Sequence, residues 1–310
     1  MIAKVLIQTL DLNYEQWLEY RKKGIGGSDA AAIAGLSPFK SAISVFIDKT
    51  EPKSEPIDSE RMRIGRDLED YVAKRFEEML GKKVRKRNAI LQHPEHEWML
   101  ANVDRLVVGE SAGLECKVTN SYAKKQWEES IPPMYELQCH HYMAVTGLDK
   151  WYIAALIGNE AVSIHEIKRD EEIINYLINI EKDFYENHIL KNEMPAPDGS
   201  SDASDLIKMM YPDSDASETV VIDKNEYIEM VNRYDQINEL IKTLEKEQEL
   251  IKQDIQMQMK EAEKAIISDR TVIWKTVESN RLDSKKLKAE LPNIYEKYTN
   301  KSSSRRFQIK

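Results

Sequence analysis

Cysteine is scarce: only Cys116 and Cys139 occur in 310 residues. Two thiols cannot build a four-thiolate zinc or iron–sulfur site, and a disulfide framework is excluded. Long apolar runs are missing as well, since none approaches the roughly 20 residues needed to cross a bilayer. No contact with a membrane is expected. The opening MIAKVLIQTLDLNYEQW has one lysine, a short apolar stretch and no small-residue cleavage site, so no export signal is expected. The expected location is cytoplasmic, with both thiols reduced and buried. Basic excess is lacking too: 45 Lys and Arg stand against 54 Asp and Glu, a net charge of −9. That excludes a protein that coats nucleic acid by bulk charge, but not one that grips it locally.

What is present alternates between helical and strand-like periods. Residues 13–23 place Tyr14, Trp17, Leu18 and Tyr20 at helical spacing. Gly26-Gly27-Ser28-Asp29 then offers a permissive backbone and an N-cap for a short Ala-rich helix ending at Gly35. Ser41 caps a helix through Asp48, and residues 61–80 form an amphipathic helix with Ile64, Leu68, Val72, Phe76 and Met79 on its apolar stripe. Alternating patterns predict strands over 83–91, 98–108 and 112–118, a helix from Pro132-Pro133, strands over 151–157 and 161–167, and a helix over 170–190. This order defines an α+β fold with a central mixed sheet flanked by helices, occupying residues 1–191. Residues 192–218, rich in Pro, Asp, Ser and Gly, read as a linker or long loop. In 219–310, positions Met230, Tyr234, Ile237, Ile241, Leu244, Gln248, Ile251, Ile255, Gln258 and Ala262 step by four and three. They predict a helical hairpin or coiled-coil arm over about 224–264. Strand-like pieces and a helix near 283–291 predict a small α/β cap on that arm.

The chemistry concentrates in ANVDRLVVGESAGLECKV. Residues two apart on a strand share a face, so Glu115 and Lys117 project together, and a hairpin brings Asp104 to the same side. Two carboxylates and an ammonium are what a hard divalent cation and an activated water require. The same residues also fit an exposed hairpin with an ordinary cross-face pair, and Glu-x-Lys alone is unspecific. Company raises its weight: Gly65-x-x-x-Glu69 lies one element upstream and Gln138-x-x-x-Tyr142 one element downstream.

The order Gly-x-x-x-Glu, Asp, Glu-x-Lys, Gln-x-x-x-Tyr resembles the PD-(D/E)XK nuclease superfamily. The opening Arg21, then Gly24-Ile-Gly-Gly-Ser28-Asp29, resembles its YqaJ-type viral recombinase branch, relatives of phage lambda exonuclease. The resemblance covers roughly residues 14–190 and implies a restriction-endonuclease-like core carrying a C-terminal helical extension. It implies a Mg2+-dependent 5′-to-3′ exonuclease on double-stranded DNA ends, with Mn2+ able to substitute. Its products are 3′ tails for a phage single-strand annealing protein, the implied partner. By the same resemblance Asp104, Glu115, Glu69 and the backbone carbonyl of Cys116 are metal ligands, Lys117 positions or activates water, and Gln138 hydrogen-bonds near the site. Arg21 and Ser28 bind the terminal 5′ phosphate, which agrees with the anion preference of an arginine fork and a helix N-terminus. A homotrimeric ring is implied as well. Two positions depart from the family pattern: His140 stands where relatives carry a second glutamine, and Asn102-Val103 replaces Ser/Pro-type residues before the aspartate.

Alternation also aligns Lys83, Arg85 and Arg87 as a phosphate-contacting rim, or as a charged edge strand protected from aggregation. Two other functions remain compatible with the sequence. One is an endonuclease of the same superfamily; the other is a non-catalytic coiled-coil interaction protein that binds DNA ends.

Overall fold

The computed structural model describes residues 3–52, 59–300 and 302–309. It divides into two units, Met1–Met210 and Tyr211–Lys310, each taken by itself.

The first unit opens with β1 (Lys4–Gln8), α1 (Tyr14–Lys22), β2 (Ile25–Gly26), α2 (Gly27–Ile33) and α3 (Ala42–Thr50). Then come α4 (Glu60–Leu80), β3 (Val84–Lys86), β4 (Ala89–Gln92), β5 (Met99–Asn102), β6 (Arg105–Val107) and β7 (Ala112–Thr119). After a 3-10 turn, α5 (Lys124–Glu129), α6 (Pro133–Thr146), β8 (Lys150–Ile157), β9 (Ala161–Lys168), α7 (Glu171–Phe184) and α8 (Ser201–Met210) complete it. The helix signals act as anticipated. Asn13 and Gln16 form a reciprocal capping box on α1, and Ser41 and Ser59 cap α3 and α4. Gly81 and Gly147 end α4 and α6 in the left-handed conformation.

Five strands form one mixed sheet in the order β3-β6-β7-β8-β9, with β7 and β8 parallel and the rest antiparallel. Strand alternation sends one set of side chains to each face. On one face Leu114, Tyr152 and Ala154 pack against Val72, Ala73 and Phe76 of α4. On the other, Trp151, Ile153, Ala155 and Ile157 pack under Cys139, Met143 and Val145 of α6. Alternation puts Gly113 on that second face, where a Cβ would fall 2.3 Å from the Trp151 ring, so the position takes glycine. Of the stripe predicted on α4, Val72 and Phe76 are buried, while Ile64 and Met79 remain about half exposed.

A second sheet of four strands runs β1-β4-β5-β2. It corrects two expectations. The strands predicted over 83–91 and 98–108 are each broken, with β3 and β6 in the five-stranded sheet and β4 and β5 in the four-stranded one. The second break falls at Val103-Asp104, and its cause is visible. The Asp104 side chain takes the Cys116 N–H at 2.8 Å, so the β6–β7 ladder ends after Arg105 opposite Leu114. Strand β1, which pairs with β4, was not expected.

A buried pair ties the helices to this second sheet. His141, wholly enclosed, bonds Glu181 Oε1 on α7 through Nδ1 and the Leu100 carbonyl on β5 through Nε2, both at 2.9 Å. Helix α8 lies inside the stretch read as a linker over 192–218. Asp202 explains its docking, because its Oδ2 accepts from Ser41 N at 2.8 Å and from the Ser41 and Ser44 hydroxyls at 2.7 Å.

The second unit holds α9 (Asn225–Met259), a hairpin of β10 (Lys264–Ile267) and β11 (Arg270–Ile273), and the short helices α10 (Ser284–Glu290) and α11 (Pro292–Lys297). The arm is one continuous helix rather than a helical hairpin. The last of the strand-like pieces expected beyond the arm, residues 305–310, carries no strand over its described residues 305–309.

Candidate active site

Strand β7 delivers Glu115 and Lys117 to the face covered by α6, and the end of the β6 ladder leaves Asp104 across from Glu115. Lys117 Nζ donates to Glu115 Oε1 at 2.6 Å, and Gln138 Nε2 donates to the same oxygen at 2.8 Å. The other Glu115 oxygen, Oε2, is buried with no hydrogen-bond partner. Lys117 also lies 4.9 Å over the Tyr135 ring. The sequence-predicted trio therefore meets in space.

Its electrostatics are unbalanced toward the negative. Burial, and then the neighbouring charges of Glu115 and Glu69, push the Asp104 carboxyl well above the usual carboxylate range, against Lys117 and the Cys116 N–H. Burial works against the Lys117 charge, yet Glu115 and Asp104 outweigh it and hold the ammonium above its ordinary value. Lys117 is thus a firm cation. The Cys116 thiol packs with the α4-side cluster, and burial raises its pKa far out of reactive range.

Glu69 acts on Asp104 through its charge, but its own hydrogen bond goes to Arg105 rather than to the trio. Its Oε1 is held at 2.6 Å by Nη1 of Arg105, whose Nη1 also donates to the Asp104 carbonyl at 2.9 Å and whose Nη2 pairs with Asp70. Among the described residues no three His, Cys, Asp or Glu side chains are arranged to hold a metal ion. The donors that fit a hard cation are two carboxylates, Asp104 and Glu115, with the Cys116 carbonyl on the strand between the side chains of Glu115 and Lys117. An unpartnered buried carboxylate oxygen beside a carboxyl forced toward its neutral form is the local chemistry that a divalent cation would relieve.

Gln138 Nε2 also donates to Tyr142 Oη at 2.8 Å, which links this centre to the N-terminal motif. Arg21, Gly26, Gly27, Ser28, Asn102 and Tyr142 share the lining of a small cavity. Arg21 stacks 4.7 Å over Trp17 and donates from Nη2 to Ser28 Oγ at 3.0 Å. Behind it Asp29, almost fully buried, accepts from Gly26 N at 3.1 Å and pairs with Lys40 at 3.0 Å and Lys49 at 2.8 Å. Burial would raise the Asp29 pKa, but Lys40, Lys49 and Arg21 together drive it well below the usual range.

Several members of this arrangement escaped the sequence reading. Arg105 and Lys49 gave no signal in their local motifs. Tyr142 did: it ends Gln138-x-x-x-Tyr142, one helical turn after Gln138, and a Cβ on Gly27 would meet its ring at 2.6 Å. Asn102 lines the cavity with its Oδ1 buried and unpartnered. His140 is buried, its Nδ1 without a partner, and it is not among the cavity-lining residues. In the basic run only 84–86 is strand, at the sheet edge, and Lys83 is held by Glu77 of α4 at 3.2 Å. Arg85 is exposed and Arg87 half-buried.

A mixed sheet with helices on both faces, carrying Glu115 and Lys117 on one strand and Asp104 at the break before the neighbouring one, is the PD-(D/E)XK-like fold. Residues 16–149 match the family model described as the YqaJ-like viral recombinase domain. Across 313 residues the chain is 42% identical to the uncharacterized protein YqaJ of Bacillus subtilis (strain 168), covering 99% of this chain and 98% of that one. The chain belongs to the YqaJ-like viral recombinase family. Among solved structures it is similar to the alkaline exonuclease LHK-Exo of Laribacter hongkongensis, with TM-score 0.50, 18% identity, and 64% of this chain and 98% of that one covered. The same enzyme in complex with dAMP matches at TM-score 0.50 and 19% identity, with the same coverage. At such identity the likeness is one of fold.

Proposed function

We propose that this chain is a Mg2+-dependent exonuclease that hydrolyses duplex DNA from its ends in the 5′-to-3′ direction. The observation that carries the reading is the continuous chain of contacts from Lys117 and Glu115 through Gln138 and Tyr142 to the cavity of Arg21 and Ser28. It couples a cation-seeking centre to an anion-seeking one. Membership in a viral recombinase family and a fold shared with an alkaline exonuclease support it.

Asp104, Glu115 and the Cys116 carbonyl would hold the metal, which supplies Lewis-acid stabilisation of the scissile phosphate and acidifies a water. The residues do the rest. Lys117, fixed as an ammonium by Glu115, orients the attacking water and offsets charge developing on the phosphate oxygens. Gln138 holds Glu115 Oε1, leaving Oε2 for the cation. Glu69, tied to Arg105, sets the local field rather than completing the ligand shell. Arg21 and Ser28 receive the terminal 5′ phosphate through a guanidinium fork and a hydroxyl near the start of α2. The anion replaces the bond that these two side chains make to each other. The 3′ tails left behind suit loading of a phage single-strand annealing protein.

The test is digestion of a linear duplex labelled separately at each 5′ and 3′ terminus, with Mg2+ and then Mn2+. Release of 5′ label first, faster from phosphorylated than hydroxyl ends, with closed circular DNA resistant, is the expected result. Cutting of the closed circle, or unchanged activity in Lys117→Ala, overturns the reading.

A further inference from the structure

Glu115 and Lys117, the pair at the centre of the site, are each met by a residue of α6. Gln138 Nε2 donates to Glu115 Oε1 at 2.8 Å, and Lys117 Nζ sits over the face of Tyr135, 4.9 Å from the ring centroid. Tyr135, Gln138 and Tyr142 recur at i, i+3 and i+7, so one stripe of the helix presents all three. Gln138 holds the carboxylate for a cation. Tyr135 has no task in the nuclease reading.

Its ring is built to stay where it is. Tyr135 lies in the first turn of α6, behind Pro132 and Pro133, whose rings fix their own φ angles. Its N–H donates to the Pro132 carbonyl at 2.9 Å. The half-buried ring stacks on that of Trp127 in α5, with centroids 5.6 Å apart and planes within 26°. Trp127 is 1% exposed, and its carbonyl accepts from His165 Nε2 of β9 at 3.0 Å. Lysine ammonium, tyrosine and tryptophan thus form a pile whose base is anchored in the core.

Lys117 has two holds, and they respond differently to a bound cation. One is the 2.6 Å bond to Glu115 Oε1. With a dication in place, Glu115 shares its charge with the metal and holds the ammonium less tightly, while the two positive charges repel. The other hold is the negative face of a neutral ring, which keeps its attraction for an ammonium whatever the charge of the carboxylate. Without it, a point charge on a flexible four-carbon stem would swing away from the water it orients.

We propose that Tyr135 is a positioning residue, whose ring face keeps the Lys117 ammonium in place when Glu115 is engaged with the metal. Its effect on rate rests on the nuclease reading; the contact itself does not.

The test uses the full chain. Tyr135→Leu should slow single-turnover digestion of a 5′-labelled duplex at saturating Mg2+ by about 5- to 30-fold, as loss of about 1–2 kcal/mol does. The DNA concentration giving half the maximal rate should not move. Tyr135→Phe keeps the face and should recover most of the rate. Tyr135→Phe carrying one, two and three ring fluorines keeps the shape while draining the face, so the logarithm of the rate should fall stepwise with fluorine number. Tyr135→Phe as slow as Tyr135→Leu, or rates that ignore the fluorines, overturn the proposal. A second readout needs no turnover, because protons held over a ring face are shifted upfield in the NMR spectrum. The Lys117 ε-methylene signal, identified by its loss in Lys117→Arg, should lie upfield in the wild-type chain and in Tyr135→Phe. It should return to the ordinary lysine position in Tyr135→Leu and keep its shift when Mg2+ is added. A signal at the ordinary position, or a shift lost with Mg2+, overturns the proposal whatever the chain does to DNA. A shifted signal in a chain that digests no duplex marks the failure of the nuclease reading instead.

Discussion

Two aspartates in the first unit, Asp29 almost fully buried and Asp104 half-buried, both lose water, and desolvation alone would raise the pKa of each. They move in opposite directions. Asp29 is surrounded by Lys40, Lys49 and Arg21 and falls well below the usual range; Asp104 faces Glu115 and Glu69 and rises well above it. The same desolvation penalty is overturned in one place and reinforced in the other by the sign of the neighbours. The Asp29 cluster carries a cationic surplus beside the Arg21–Ser28 cavity, suited to an anion. The Asp104 cluster has a deficit of positive charge that a proton on Asp104 or an added cation relieves.

The largest test of that contrast is on turnover. Glu115→Gln or Lys117→Ala should lower kcat at saturating Mg2+ by at least about a hundredfold, the lower end of what one positioned catalytic group contributes. Single-turnover digestion of a 5′-labelled duplex reads it. On stability, Asp29→Asn leaves Lys49 buried without its counter-ion. It should cost about 3–5 kcal/mol, as breaking one side of a buried pair does, seen as a lower midpoint in urea. If the midpoint does not move, the Asp29 cluster is not the framework of the cavity.

The two aspartates should also respond oppositely to pH. Asp104 binds its proton more tightly folded than unfolded, so metal-free stability falls as pH rises from its unfolded pKa toward its raised folded one. Asp29 has a lowered folded pKa, so its contribution is present above its unfolded pKa and lost as pH falls through the folded value. Stabilisation by Mg2+ at a hundred times its dissociation constant should be about 2.7 kcal/mol. It should be full where Asp104 is ionised and shrink as the pH falls through its raised pKa; thermal melts across a pH series with and without Mg2+ measure it. A Mg2+ effect independent of pH, or retained in Asp104→Asn, breaks the contrast. Smallest is Gly27→Ala, whose added methyl meets the Tyr142 ring and should cost about 1–3 kcal/mol as overpacking does. Preference for 5′-phosphorylated ends should weaken more than the rate on hydroxyl ends.

Much of the site could be read before the fold was known, because strand spacing is a strict rule. Glu115 and Lys117 had to share a face, and Gln138 and Tyr142 had to lie one helical turn apart. The break at Val103-Asp104 could not be read, since its cause is a side-chain bond to Cys116, twelve residues away. Nor could the tie between Glu69 and Arg105, which needs α4 laid across the sheet. Helix α8 was hidden by a composition of Asp, Ser and Pro that suits a loop equally well; what docks it is the hydrogen bonding of Asp202 to α3.

By itself the amino-acid order determined local periodicity: which residues alternate, which recur at helical spacing, where Ser, Asn and Gly start and stop helices, and that α9 carries a heptad seam. Those properties depend on neighbours within a few positions. Tertiary structure alone decided the sign of each buried charge's surroundings, because Lys49 reaches Asp29, and Asp104 reaches Cys116, only after distant segments pack. Electrostatic energy follows distance in space and loss of water, neither of which is written in the chain order.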